Sequence, residues 1–265
     1  GNKGSSEAIG ALIVGVSVLT VALISAQVAQ HLLVLEVAKA EFEEAMKALA
    51  TLADIVEEVG IKTLSSGHVK INCQTGRLDF IKDGDRVQLI LYPGEGGSPV
   101  TLIDAYTASI RYVNPYYSYG EEYVRGGSQG LVMNGGEPLV TVETFFQNAS
   151  IVKLYSHRVR LVSLGATYLE NTPAGPGYVN VFEAVFIRLT IGQTFGLDSI
   201  RVVASSGPAS VKTVFVNTTS LRFELLVNEK VKDAASINGP STVDGAPVIG
   251  SLIYVVEVEV KLSTV

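Results

Sequence analysis

Cysteine is nearly absent. Cys73 is the only one in 265 residues, which excludes an intrachain disulfide and any CxxC redox or zinc motif. Cys73 itself reads as a small buried hydrophobe. His31, His68 and His157 are the only histidines and none has ligand spacing, so neither a metal nor a cofactor is expected. A basic stripe is missing too. The net charge is −6, and residues 1–60 hold three lysines against eight acidic side chains, a distribution that argues against nucleic-acid partners. No proline occurs before Pro93 and no glycine between Gly15 and Gly60, so nothing in that stretch demands a helix break.

Catalytic motifs are missing or incomplete. Gly126-Gly127-Ser128-Gln129-Gly130 matches the GxSxG pattern in form, but that motif works on a strained turn between a strand and a helix. Here Leu131-Val132-Met133-Asn134-Gly135-Gly136 follows, so the segment reads as a flexible turn. Gly94-Glu95-Gly96-Gly97 lacks the spacing of a dinucleotide loop, and Lys212-Thr213 lacks the glycine that precedes a phosphate-binding lysine. An enzyme is not expected.

Residues 5–59 are the most distinctive part of the chain. Ser5-Ser6-Glu7 is followed by an apolar run from Ala8 to Ala26 and then by a charged amphipathic stretch to Val59. At 1.5 Å per residue this predicts a rod of about 80 Å, far longer than the mean globular helix. The apolar run is longer than a signal-peptide core and has no cleavage signature behind it, so it is expected to be retained. It is also long enough to cross a bilayer. Small residues, among them Gly10, Gly15, Ser17, Ala22 and Ser25, allow close approach of helix backbones. From Leu35 a heptad seam begins, with Leu35, Phe42, Leu49 and Val56 at one position and Ala38, Ala45, Leu52 and Val59 three residues later. Such a seam suits a helix bundle or an amphipathic helix lying on its own domain. Gly60 is placed to end the helix.

Beyond Gly60 the texture is β. Apolar runs at 69–73, 78–81, 87–92, 100–103, 109–113, 139–145, 152–164, 178–191, 199–204, 211–216, 221–227 and 252–262 alternate with Gly, Pro, Asn and Ser clusters. In the last run Val256, Val258, Val260 and Leu262 alternate with Glu257, Glu259 and Lys261, which predicts one buried and one wet face. The expected fold is α+β: a long N-terminal α-helix in residues 1–60, then an antiparallel β-sandwich in residues 61–265. Two N-x-[ST] sequons mark Asn148 and Asn217 as candidate glycosylation sites if the β-domain is extracytoplasmic. Five of the 11 tyrosines fall between Tyr112 and Tyr123. Tyr116, Tyr117 and Tyr119 form either a surface contact patch or a loop folded back on its own sheet.

Lys3-Gly4-Ser5-Ser6-Glu7, continuing Ala8-Ile9-Gly10-Ala11-Leu12-Ile13-Val14, resembles the N-terminus of archaeal type IV pilin-like proteins, which include the archaellins (archaeal flagellins) and related adhesive fibre subunits. The resemblance is specific over residues 3 to about 30 and architectural beyond. It implies an immunoglobulin-like β-domain, often glycosylated, and a leader removed by a prepilin-type peptidase, with Gly1 or Ser5 as the mature N-terminus. It also implies a helical homopolymer assembled by membrane machinery into an extracellular filament, so that the subunit is membrane-inserted only before assembly. Ile9, Leu12, Ile13, Val16, Leu19, Leu23, Val28, Leu32, Leu35 and Phe42 would then pack in the filament core, and Glu7 would pair with a neighbour's charge. The sequence does not distinguish motility from adhesion. The alternative is a β-sandwich binding protein held outside the cell by a single membrane span.

Overall fold

The computed structural model describes the backbone of residues 3–62, 65–94, 96–195 and 199–265, and within these the side chains of all residues other than 3–9 and 11. One α-helix, α1, runs from Lys3 to Ile61. Gly60, expected just past the helix, lies inside its last turn, where its Cα faces Ile187 and Val260. Among the described residues fourteen strands follow: β1 Ser66–Asn72, β2 Arg77–Pro93, β3 Val100–Asn114, β4 Glu122–Arg125, β5 Leu131–Val132, β6 Thr141–Phe146, β7 Ser150–Tyr155, β8 Val159–Leu169, β9 Gly177–Ile191, β10 Ser199–Val216, β11 Ser220–Val227, β12 Lys230–Asn238, β13 Thr242–Val243 and β14 Ala246–Thr264.

The strands form two seven-stranded sheets. One has the order β1-β10-β14-β9-β8-β5, with β13 on β14; the other has the order β12-β11-β2-β3-β7-β6-β4. Pairing is antiparallel except for β9 with β14 and β5 with β8. This is an α+β fold with one long apolar helix ahead of two mainly antiparallel sheets. The central parallel pair and the buried half-helix carry it no further toward an immunoglobulin-like order.

Several strands are longer than their apolar runs. The gap between 81 and 87 is a bulge inside β2, with Asp83 at φ 46°, and the gap between 204 and 211 is an irregularity inside β10 that holds Pro208. The run 152–164 instead divides at Ser156-His157-Arg158, where the chain leaves the second sheet for the first.

The core has two parts. In one, the sheets meet directly: Val87, Leu89, Leu91, Ile103, Phe223 and Leu225 of the second sheet pack with Leu161, Phe182, Ala184, Phe186, Ile253 and Val255 of the first. In the other, the C-terminal half of α1 is wedged between them. Phe42, Ala45, Leu49, Leu52, Val56 and Val59 pack against Ile71, Leu189, Val202 and Val260 on one wall and Ile110, Tyr112, Val142 and Val152 on the other. The heptad seam is therefore spent inside the chain's own domain. Phe42, expected in a filament core, is fully buried here.

The junction between these two parts is written into the strands. Inward-facing residues are Ile103 and Ala105 but then Ala108 and Ile110 in β3; Phe186 but then Ile187 and Leu189 in β9; Ile253 and Val255 but then Val258 and Val260 in β14. The core-facing side of each strand thus passes from one face of the pleat to the other, and β9 and β14 stay in unbroken register across the change. At this level the Leu189 N–H donates to Thr107 Oγ1 across the core at 3.1 Å.

Candidate functional surface

The N-terminal half of α1 is the most unusual surface. Ala8 to Leu35 contains no Asp, Glu, Lys or Arg, and at 1.5 Å per residue it spans about 42 Å. Every side chain from Leu12 to Val34 is exposed. The helix reaches a mean hydropathy of 2.3, enough by length and composition to cross a membrane. Thr20 turns its hydroxyl back to the Val16 carbonyl at 2.8 Å, which hides its one side-chain donor within the helix. Water tolerates isolated apolar side chains, but a continuous cylinder of them implies cover by lipid or protein.

Where α1 meets the sheets, carboxylates bolt it in place. Glu41 accepts hydrogen bonds from Tyr112 Oη at 2.7 Å, Thr75 N and Oγ1 at 2.8 Å each, and Gly76 N at 3.2 Å. Burial alone raises a carboxyl pKa, but these donors outweigh it and hold Glu41 below the usual range. Asn114 Nδ2 donates to the Ala38 carbonyl at 3.1 Å. Gly76 is required, because a Cβ there would collide with the Tyr112 ring and hydroxyl. Sixteen residues on, about 24 Å along the axis, Glu57 accepts from Leu139 N at 2.6 Å, Val140 N at 2.8 Å and Arg125 Nη1 at 2.7 Å. Arg125 also reaches Asp54 at 2.8 Å. Glu41 and Glu57 lie off the heptad seam, and no local sequence signal marks them.

Phe42 sits among three tyrosine rings, with centroids 6.2 Å from Tyr112, 5.6 Å from Tyr117 and 5.4 Å from Tyr119. Tyr117 and Tyr119 are half-buried in this cluster, so most of the tyrosine-rich loop folds back on its own domain. Tyr116 remains outward, 55% exposed.

The chain matches no protein-family model, no curated protein and no solved structure.

The other sequence-marked residues do not converge on one site. Leu12, Ile13, Val16, Leu19, Leu23, Val28 and Leu32 line the exposed helix, with Leu35 half-buried at its lower end. The side chains of Glu7 and Ile9 lie outside the described residues. Asn148 is exposed in the β6–β7 turn at φ 61°, on the rim of a hollow of about 460 Å³ that also borders Arg77 and Arg111. Asn217 is exposed in the β10–β11 turn. Ser128 lies in the loop between β4 and β5, and a strand rather than a helix follows it, so the nucleophile-elbow geometry is not built. Cys73 is buried, and that burial with the nearby Glu41 charge pushes its thiol up to about 11, well away from thiolate reactivity.

Sequence reading also missed a polar knot at the β2 bulge. Asp85 accepts from His157 Nε2 at 2.9 Å and Asn228 Nδ2 at 2.7 Å, with Lys153 Nζ at 3.4 Å. The His157 bond above all keeps Asp85 far below the ordinary carboxylate range, against the effect of burial. Burial pushes His157 down, and the Asp85 contact offsets only part of that. The knot ties β2, the β7–β8 crossing and the β11–β12 turn together. Among the described residues no cluster of His, Cys, Asp and Glu is arranged to hold a metal ion.

Proposed function

We propose that this chain is a cell-surface protein whose uncharged helix end sits in a membrane and holds the β-domain outside the cell, in a mechanical rather than catalytic role. The observation that carries this reading is the unbroken exposure of Leu12–Val34 on a helix whose other half packs its heptad seam inside the domain. With the heptad seam consumed internally, the amphipathic half needs no outside partner, and what remains has the length and polarity of a single span. Ala8–Ala26, about 28 Å long, matches the hydrocarbon thickness, and Gln27, Gln30 and His31 then fall in the interfacial region. Extraction of the native membrane tests it. The chain should resist high salt and alkaline carbonate and come out with detergent, and Leu19→Lys should release part of it. A full-length chain that stays monomeric in plain buffer would sink the proposal.

A second reading, the filament subunit that the N-terminal resemblance implies, is favoured by one feature. Leu32 and Leu33, beyond the polar band, are 56% and 66% exposed, with Val34 and Val37 beside them. A span ending at Ala26 leaves this apolar collar in the aqueous zone, where side-by-side copies of α1 would cover it. Assembly would then follow a membrane stage that uses a prepilin-type peptidase and export machinery, and the exposed half would become the filament core. Electron microscopy of material shed from cells decides between them: fibres that persist without detergent and vanish with Leu19→Asp favour the filament, and their absence at every concentration favours the anchor.

A further inference from the structure

The edge of the first sheet at β8 is open. β5 covers β8 only at Val159 and Arg160, so residues 161–169 have β9 on one side and, among the described residues, no strand on the other. A free edge offers alternate N–H and C=O groups to any extended chain, and folded proteins guard such edges with charge or proline. Three other end strands are guarded by charge: β12 carries Lys230, Lys232 and Asp233, β4 carries Glu122 and Arg125, and β1 carries Lys70. Leu161 to Leu169 has no charge and no proline, and Leu164 and Tyr168 are 58% and 52% exposed. A bulge at Ser163–Gly165, with Gly165 at φ 90°, kinks the first part, but Gly165–Leu169 runs in unbroken register with β9.

We propose that Gly165–Leu169 pairs antiparallel with the same residues of a second copy and joins two seven-stranded sheets into one. Charge selects this partner. A two-fold axis sets a strand against itself, so a charged strand meets like charge and an uncharged one does not. With the axis at Thr167, Thr167 faces itself, Ala166 faces Tyr168 and Gly165 faces Leu169, and the pleat keeps each pair on one face. Glu170 of one copy then faces Leu164 of the other, so no like charges meet across the pair. Tyr168 already stands edge-on to Tyr178, with centroids 5.5 Å apart, which presets its ring for the contact. The contact belongs to the half of the sandwich that α1 does not reach, and so is independent of the helix.

Cross-linking of the full-length chain in detergent tests it. Thr167→Cys places a thiol on the two-fold axis, and buried Cys73 does not compete. Mild oxidation should give a disulfide-linked dimer at least tenfold faster than for Lys230→Cys on the guarded β12 edge. Adding Tyr168→Lys to Thr167→Cys should slow it at least tenfold while leaving the melting temperature in place. Equal rates for the two cysteines, or an undiminished rate with Tyr168→Lys, would overturn the proposal. Either result leaves the membrane reading untouched, because that reading is decided by extraction.

Discussion

The two halves of α1 belong to one unbroken helix and end in opposite surroundings. From Ala38 onward the seam residues disappear between two sheets; from Val34 back every described side chain is exposed. The exposed half is the more apolar of the two, so hydrophobicity alone does not decide what a protein buries. Distribution does. A stripe can be satisfied by two walls of the same chain, with charged residues left over to face water. A cylinder that is apolar all round has no wet side to leave out, so a domain of this size has nowhere to put it.

Substitutions in the two halves should separate domain stability from surface behaviour. The largest effect is expected for Phe42→Ala, which empties the centre of the tyrosine cluster and should cost about 3–5 kcal/mol in denaturant unfolding of the detergent-solubilised chain. Next is Leu19→Lys, which should leave unfolding of the β-domain unchanged while weakening membrane partition by about 3 kcal/mol, read by flotation with vesicles. A loss of domain stability from this change would contradict the division between the halves. Glu41→Gln keeps the shape but replaces an acceptor of four hydrogen bonds, and should cost about 2 kcal/mol at neutral pH.

Acid titration sharpens the same comparison. The Glu41 pKa is lowered in the fold, so the unfolded chain binds its proton more readily, and this share of stability is full above 4.5 and fades as pH falls below it. Melting curves of Glu41→Gln should lack that share. His157 is also lowered, from 6.5, so the folded state resists its proton and a separate loss should set in as pH falls below 6.5. The His157→Gln variant should flatten that upper step. The smallest effect is expected for Tyr116→Ser, within about 0.5 kcal/mol by melting, because its ring stays outside the cluster that holds Tyr117 and Tyr119.

What the sequence shows and what it hides follow from the same physics. The helix, its change of character near Leu35 and the strand alternation of Val256–Leu262 are periodic patterns that side-chain polarity reports directly. The destination of the heptad seam is not, because a bundle and a pair of sheets ask for the same stripe. Glu41 and Glu57 look like any wet carboxylate until loops from distant strands arrive with N–H groups. β12 escaped notice because Lys230, Lys232 and Asp233, which guard its edge, read as a loop. Asp83-Gly84-Asp85 read as a break because a bulge and a turn use the same residues.

The two carboxylate bolts have a consequence for leverage. Two fixed points about 24 Å apart on one rigid rod define a direction, and no glycine or proline between Gly15 and Gly60 offers a hinge. A lean of α1 where its apolar end is held therefore turns the whole β-domain by the same angle. The β-domain is thus the pointer of a dial, and the direction it shows is set by whatever grips the apolar end.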